Sequence, residues 1–399
     1  MIDPVVTEWL SAMVRWLHVV AAIAWIGSSF YFIALDLGLR PAPGLPAGVH
    51  GEAWQVHGGG FYRMMKYLVA PAQMPDELTW FKWEAYTTWI SGFGLLILVY
   101  YLHAGLFLVD PDVLPLSAWQ AGLLSLATLA IAWLLYEGLC RSPLAKHQTV
   151  VALIGYVFLV AVTYGFTHLF SARGAFTQIG ALIGTIMVAN VFVVIIPNQK
   201  TIVADLIAGR EPDPALGAAG KLRSVHNNYL TLPVVFLMIS NHYSLFYATR
   251  WNWVIVAILL LIGPLIRHFF NERHAGRESP WWTWLAAALG MAVIGWLTDA
   301  GRPGHELGAL PPAPHFTRVA DIVSARCSMC HSDTPGMAGI AAPPAGIRLD
   351  SPARILAAAD FIDEVAVRSA AMPPGNVSRM TDDERRLLAA WYEAGAKPE

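Results

Sequence analysis

The 399-residue chain is 56% hydrophobic and only 14% charged, with a formal net charge of −2. A soluble domain carries about 25% charged residues, so a wholly soluble fold is excluded, and the near-neutral balance speaks against nucleic acid as a partner. The deficit is local: long apolar stretches fill 9–298, and the remainder has the composition of a soluble domain.

A transmembrane helix needs roughly 20 mostly apolar residues. Eight segments qualify, at about 9–37, 86–108, 117–139, 148–170, 176–197, 224–248, 251–270 and 281–298. The first is too long for a removable signal peptide and lacks its basic flank and small-residue cleavage site. Orientation follows from basic residues in the connections. The odd-numbered connections carry Arg40, Arg63, Lys66 and Lys82; Arg141 and Lys146; Lys200, Arg210, Lys221 and Arg223; and Arg267, Arg273 and Arg277. The even-numbered ones carry only Arg173 and Arg250. Odd connections therefore face the cytoplasm, and both chain ends lie outside it.

Residues 301–315 are rich in Gly and Pro and read as a linker. Beyond it, 316–325 can form one helical face, and Thr381 to Glu384 is a capping box that opens a last helix with Leu387, Leu388 and Trp391. The reading is all-α: an eight-span transmembrane bundle over 1–300, the linker, and a small cytochrome c domain over 316–399.

Cys327, Cys330 and His331 stand in the C-x-x-C-H spacing of covalent haem attachment. Two cysteines three apart at a helix start reach both vinyl groups of a porphyrin, and the histidine meets the iron. A zinc half-site would need a second ligand pair, and the remaining cysteine, Cys140, lies in the membrane part, where it fills space. A redox dithiol belongs near a βαβ pattern, which the sequence lacks. The sixth ligand is expected from Met372, in a Pro-rich loop before the last helix, with Met337 and Met380 as alternatives. His/Met ligation raises a haem's potential, which suits an electron acceptor.

Ionisable residues inside spans are functional candidates. Topology places His18, His103, His168 and His242 toward the outer side, and His226, His268 and His57 toward the cytoplasm. The outer four are the right type to ligate a second, b-type haem or a metal. The bland alternative for each is a hydrogen bond to a neighbouring carbonyl.

The first connection is long, at nearly 50 residues. It holds Glu52 to Tyr67 (EAWQVHGGGFYRMMKY) and Thr79 to Glu84 (TWFKWE). Three successive glycines allow close backbone approach, and aromatics with Arg63, Lys66 and Glu84 resemble the lining of a pocket for a planar, polar molecule. The alternative is an amphipathic segment on the membrane surface. Asn198 and Gln199 end the fifth span, and His226 and Asn227 begin the sixth, on the same face. Carboxamides read the edge of a heterocycle by paired hydrogen bonds, or they cap helix ends.

Together these stretches resemble the bacterial membrane-bound urate oxidases (urate hydroxylases), which join an eight-span N-terminal domain to a C-terminal cytochrome c. The resemblance is carried by 52–62 (EAWQVHGGGFY), 80–84 (WFKWE), 196–199 (IPNQ), 226–233 (HNNYLTLP), 240–243 (SNHY), the Cys327 to His331 motif and 372–376 (MPPGN). It implies oxidation of urate to 5-hydroxyisourate in purine breakdown at the bacterial inner membrane. Electrons leave through periplasmic haem c to a terminal oxidase or a soluble carrier, without forming hydrogen peroxide. On this reading Arg63 with Gln199 or Asn227 holds the urate edge, Asn198 and Glu84 line the site, and Lys66 or His226 takes a proton. Two alternatives stand beside it. One is a non-catalytic relay from quinol to an oxidase, and the other is a transporter with an accessory cytochrome.

Overall fold

The computed structural model describes residues 4–71 and 73–398. It is mostly helical. Among the described residues six helices are long and apolar enough to cross a membrane. They are α1 (Pro4–Gly38), α3 (Ala118–Arg141), α4 (Gln148–Thr167), α5 (Ala172–Ile207), α7 (Asn252–His274) and α8 (Trp282–Ala300).

The second and sixth expected segments are also helical, but of different character. α2 (Trp83–Leu95) continues as a π-helical stretch, Leu96–Tyr101, and then breaks before a short helix, Ala104–Phe107. α6 (Pro214–Ser240) begins well before the apolar run and carries Lys221, Arg223, His226, Asn227 and Asn228 in its first half. α5 has its own π-helical turn at Asn190–Ile195. Such turns interrupt the i→i−4 ladder and are frequent at functional sites.

α5 runs through the main core: Phe176, Ile179, Leu182 and Ile183 are fully buried in it, beside Leu237 of α6 and Val256 of α7. α6 and α7 approach closely where Gly263 faces Pro233; a Cβ there would stand 2.3 Å from the proline ring. α1 is peripheral and packs chiefly on α2.

The fold is not purely helical. β1 (Val49–His57) and β2 (Gly60–Tyr67) form an antiparallel hairpin, with Trp54 opposite Arg63 and Glu52 opposite Met65. Gly58 and Gly59 have φ of +60° and +79°, the pair of positive values that a two-residue type I′ turn requires. The glycine run thus forms the hairpin turn.

Residues 316–396 have a separate core. α9 (Phe316–Arg326) and α10 (Asp382–Glu393) bury Val319, Ile322, Val323, Leu388 and Trp391 against Ile355, Ile362 and Val367. Phe316 and Trp391 meet at 6.1 Å between ring centroids. The capping box is present as the sequence reads: Thr381 accepts from the Glu384 amide, and Glu384 accepts from the Thr381 amide.

This C-terminal unit rests on the bundle end opposite the hairpin. Asn376 Nδ2 donates to Asp112 Oδ2 at 2.7 Å. Gly375 sits so close to Val109 that a Cβ would lie 2.5 Å from its carbonyl oxygen. Gly339 covers the imidazole of His103 in the same way, and Arg302 pairs with Glu364 at 3.3 Å.

Candidate functional site

The C-terminal unit carries the first candidate site. α9 ends at Arg326, held by the Glu384 carboxylate at 2.9 Å and the Ser378 carbonyl. Cys327 and Cys330 follow immediately, both as free thiols. Burial pushes the Cys327 thiol up to about 11, and the adjacent Cys330 adds to the rise. Neither thiol is poised as the reactive thiolate of a redox dithiol. His331 Nδ1 lies 3.0 Å from the Ile347 carbonyl, so Nδ1 carries the proton and Nε2 is left as a bare donor atom.

The Met372 loop is fixed from two sides: its amide donates to Val365, and its carbonyl accepts from Arg385 at 2.9 Å. Met380 is 3% exposed and packs within the core. Met337 is pinned by its amide to the Met329 carbonyl, within the loop that follows His331. The donor set therefore fits a covalently held haem: two free thiols three apart, an imidazole oriented through its second nitrogen, and a thioether on a fixed loop.

A cavity of about 510 Å³ lies among α1, α2, α5 and α6, in the bundle half nearer the C-terminal unit. Its walls are mostly apolar. Its polar members include Arg15, His18, Arg173 and His242, and a triad in which Tyr100 and Thr177 both reach Asn241 Oδ1, at 2.8 and 2.9 Å. The four outer histidines are thus divided. His18 and His242 line this cavity. His103, its Nδ1 on the Leu98 carbonyl at 3.0 Å, faces Gly339. His168 stands on the surface at the end of α4, 4.3 Å from the Tyr164 ring. They do not form one site, and no group of three or more His, Cys, Asp or Glu is placed to share a metal among the described residues.

The hairpin end also divides the residues expected to act together. Arg63 pairs with Glu52 at 2.5 Å and stacks on Trp54, while Lys66 pairs with Asp36 at 2.8 Å. Both cations are exposed on the hairpin and already neutralised. The Trp54 indole, with Arg63 next in effect, holds the Glu52 carboxyl below its ordinary range. Gln199 is exposed, and Asn198 donates to the Leu216 carbonyl at 3.1 Å. Glu84 is half-buried at the start of α2, with Oε2 unbonded.

His226 and Asn227 instead belong to a buried network that sequence reasoning did not assemble. Tyr136 OH meets His226 Nδ1 at 2.8 Å and accepts from Asn190 Nδ2 at 3.1 Å; Asn190 also donates to Asn227 Oδ1 at 2.9 Å. Arg223, 3% exposed, pairs with Glu137 at 2.7 Å and lies over the Tyr136 ring. One residue on, Asn228 turns the other way, toward Arg267 of α7 at 2.8 Å. Arg267 is 5% exposed, covers the Phe30 ring at 3.7 Å, bonds Asn271, and pairs with no carboxylate among the described residues. Asn228 Nδ2 beside it is buried and unbonded. The available signal was charge in an apolar run: Glu137, Arg223 and Arg267 all sit inside or at the edge of spans.

Residues 4–298 match the family described as urate oxidase N-terminal. No curated protein and no solved structure matches the chain.

Proposed function

This chain belongs to the urate oxidase N-terminal family, and we propose that it oxidises urate to 5-hydroxyisourate and sends the electrons out through its own C-terminal unit. Six spanning-type helices are compatible with a multi-pass membrane protein. In this reading α2 and α6 complete eight spans across the bacterial inner membrane. The hairpin end then faces the cytoplasm, where urate is made, and the C-terminal unit is a periplasmic cytochrome c domain.

Arg267 supports a place for the substrate. A buried cation without a carboxylate is costly unless an anion arrives to pair with it. Urate at neutral pH is a planar monoanion. Arg267 would pair with that charge, the unbonded Asn228 amide would donate to a ring carbonyl or nitrogen, and Phe30 offers an aromatic face. His226, two residues before Asn228 on α6 and bonded through Nδ1 to Tyr136 in the neighbouring cluster, would accept a proton at Nε2 as electrons depart. The change is urate plus water giving 5-hydroxyisourate, two protons and two electrons, so the added oxygen comes from water and no peroxide forms. Arg63, Lys66 and Gln199 are too exposed to hold the ring and belong to the entrance.

At the other end Cys327 and Cys330 would anchor haem c, and His331 and Met372 would hold its iron. When bound, that haem takes up and passes on single electrons. His331 is oriented by Ile347, Met372 by Val365 and Arg385, and the docking loop by Asp112, so the acceptor unit is held against the domain that does the chemistry. A terminal oxidase or a soluble carrier would receive the electrons.

Anaerobic addition of urate to oxidised membranes is expected to bring up the reduced c-type band, with 5-hydroxyisourate formed and no peroxide. Absence of reduction by urate, with reduction by quinol, would replace this reading with that of a quinol relay.

A further inference from the structure

We propose that the cavity among α1, α2, α5 and α6 holds a second, non-covalently bound haem, with His18 and His242 as its axial ligands. The cavity volume of about 510 Å³ falls within the roughly 300–1,000 Å³ of ligand and cofactor sites. Its shape is set by small residues: Gly92 passes directly under the His18 ring, and a Cβ on Gly184 would meet nothing within 4 Å, so that glycine borders open space.

His18 has the hydrogen bonding of a ligand. Its Nδ1 is 2.9 Å from the Thr88 carbonyl and 3.2 Å from Ser91 Oγ. Because the Ser91 hydroxyl donates to Thr87, the ring proton belongs on Nδ1 and Nε2 keeps a free lone pair. His242, on the turn after α6, lines the same cavity.

Charge selects the occupant. Arg15 lies one turn before His18 and has no hydrogen bond or ion pair among the described residues. Arg173 packs over Phe107 at 4.8 Å and leaves a buried Nε unbonded. Arg15, exposed, and Arg173 both line the apolar cavity, and two cations there suit two anions on an otherwise apolar ligand. A haem offers two propionates on one edge of an apolar macrocycle. A quinone has no anion, and urate carries too many polar edges for walls of this kind.

Position supports the same occupant. Leu96, Val99 and Tyr100 of the π-helical stretch line the cavity, and His103, three residues on, touches Gly339 of the C-terminal unit. The cavity therefore sits between the Arg267 cluster and the docking face. Urate oxidation releases two electrons and one haem c would accept one, so a second one-electron centre in the cavity would let the chain hold both. Only this source of electrons rests on the urate reading; the site itself does not.

The test is acid–acetone extraction of the purified full chain from haem-sufficient cells, followed by pyridine haemochrome spectra of extract and residue. One extractable b-type haem is expected for each covalent one. His18→Ala should lose the extractable haem and keep the covalent haem, and imidazole added to His18→Gly should restore it. His242→Ala should leave a five-coordinate, high-spin spectrum. If the histidine variants fail to accumulate, Arg15→Gln with Arg173→Gln should make the extractable haem's midpoint potential more negative and leave the covalent haem's unchanged. Covalent haem alone, a stoichiometric quinone in the extract, extractable haem indifferent to His18, or a midpoint unmoved by the double variant would each overturn the proposal. Urate-driven reduction of the covalent haem in a chain with no extractable haem would overturn this site alone. Extractable haem in a chain unresponsive to urate would overturn the function alone.

Discussion

Asn376 reaches across from the C-terminal unit to the carboxylate of Asp112, 264 residues earlier, at 2.7 Å. The neighbouring Gly375 has φ of +52° and no space for a side chain against the Val109 carbonyl. The loop that carries Met372 is therefore also the loop that docks. Gly375→Ala should weaken docking by about 1–3 kcal/mol, the usual cost of overpacking. Proteolysis in 301–315 should accelerate, and urate-driven haem reduction should slow without change in the haem spectrum. Asp112→Ala should do the same more mildly, by about 1 kcal/mol.

Arg223 and Glu137 form a buried pair between α6 and α3. Arg141 also pairs with Glu137, at 2.5 Å, so losing Arg223 leaves the carboxylate one partner and should cost less than about 3–5 kcal/mol, the penalty of a fully stranded buried charge. Arg223→Ala should lower the melting temperature of the membrane part. Joint replacement by Arg223→Met and Glu137→Leu should recover most of it, because the one charge then left without its partner, Arg141, is exposed. Thermal scans in detergent read both.

On the proposed reading Arg267 pairs with the urate charge. Arg267→Gln should raise KM for urate at least tenfold, an effect of about 1.4 kcal/mol or more, and leave the haem c spectrum and dithionite reduction untouched. Arg267→Lys should recover part of the loss, since it restores charge but not the fork. Lys66→Ala should alter KM little.

Glu384 supplies a pH dependence. Burial pushes its carboxyl up, but Arg326 and the Thr381 amide outweigh this and hold it below the ordinary 4.5. A depressed carboxyl stabilises the fold above its unfolded value and loses that contribution as pH falls through the folded one. The C-terminal unit should therefore weaken on acidification below about pH 4.5. Glu384→Gln keeps the capping-box acceptor but loses the charge paired with Arg326, so it should be less stable near neutrality by about 1 kcal/mol and show a shallower acid transition. Haem-band melting across pH 3–7 checks the slope.

Much of this was legible in the sequence, because the signals were local. Six apolar runs became spanning-type helices since each buries or exposes its side chains by composition alone. The capping box at Thr381 formed because its partners lie three residues apart. Cys327, Cys330 and His331 are adjacent in the chain, so their shared placement needed no folding information. The hairpin was missed because its glycines fit both a turn and a ligand-contacting loop; only the pairing of Trp54 with Arg63 decided between them.

The sites in the bundle were a different matter. Sequence placed Arg63, Lys66 and His226 on one face, but face is a two-dimensional statement. A side chain's partner depends on helix rotation, which no single helix encodes. Rotation turned Asn227 toward Asn190 and its neighbour Asn228 toward Arg267, so adjacent residues serve different clusters. It also separated His103 and His168 from the cavity that His18 and His242 share. Sequence by itself determined which elements form and which residues are chemically able to act. Packing decided which of them meet, because burial of a polar group is tolerated only where another helix supplies its partner.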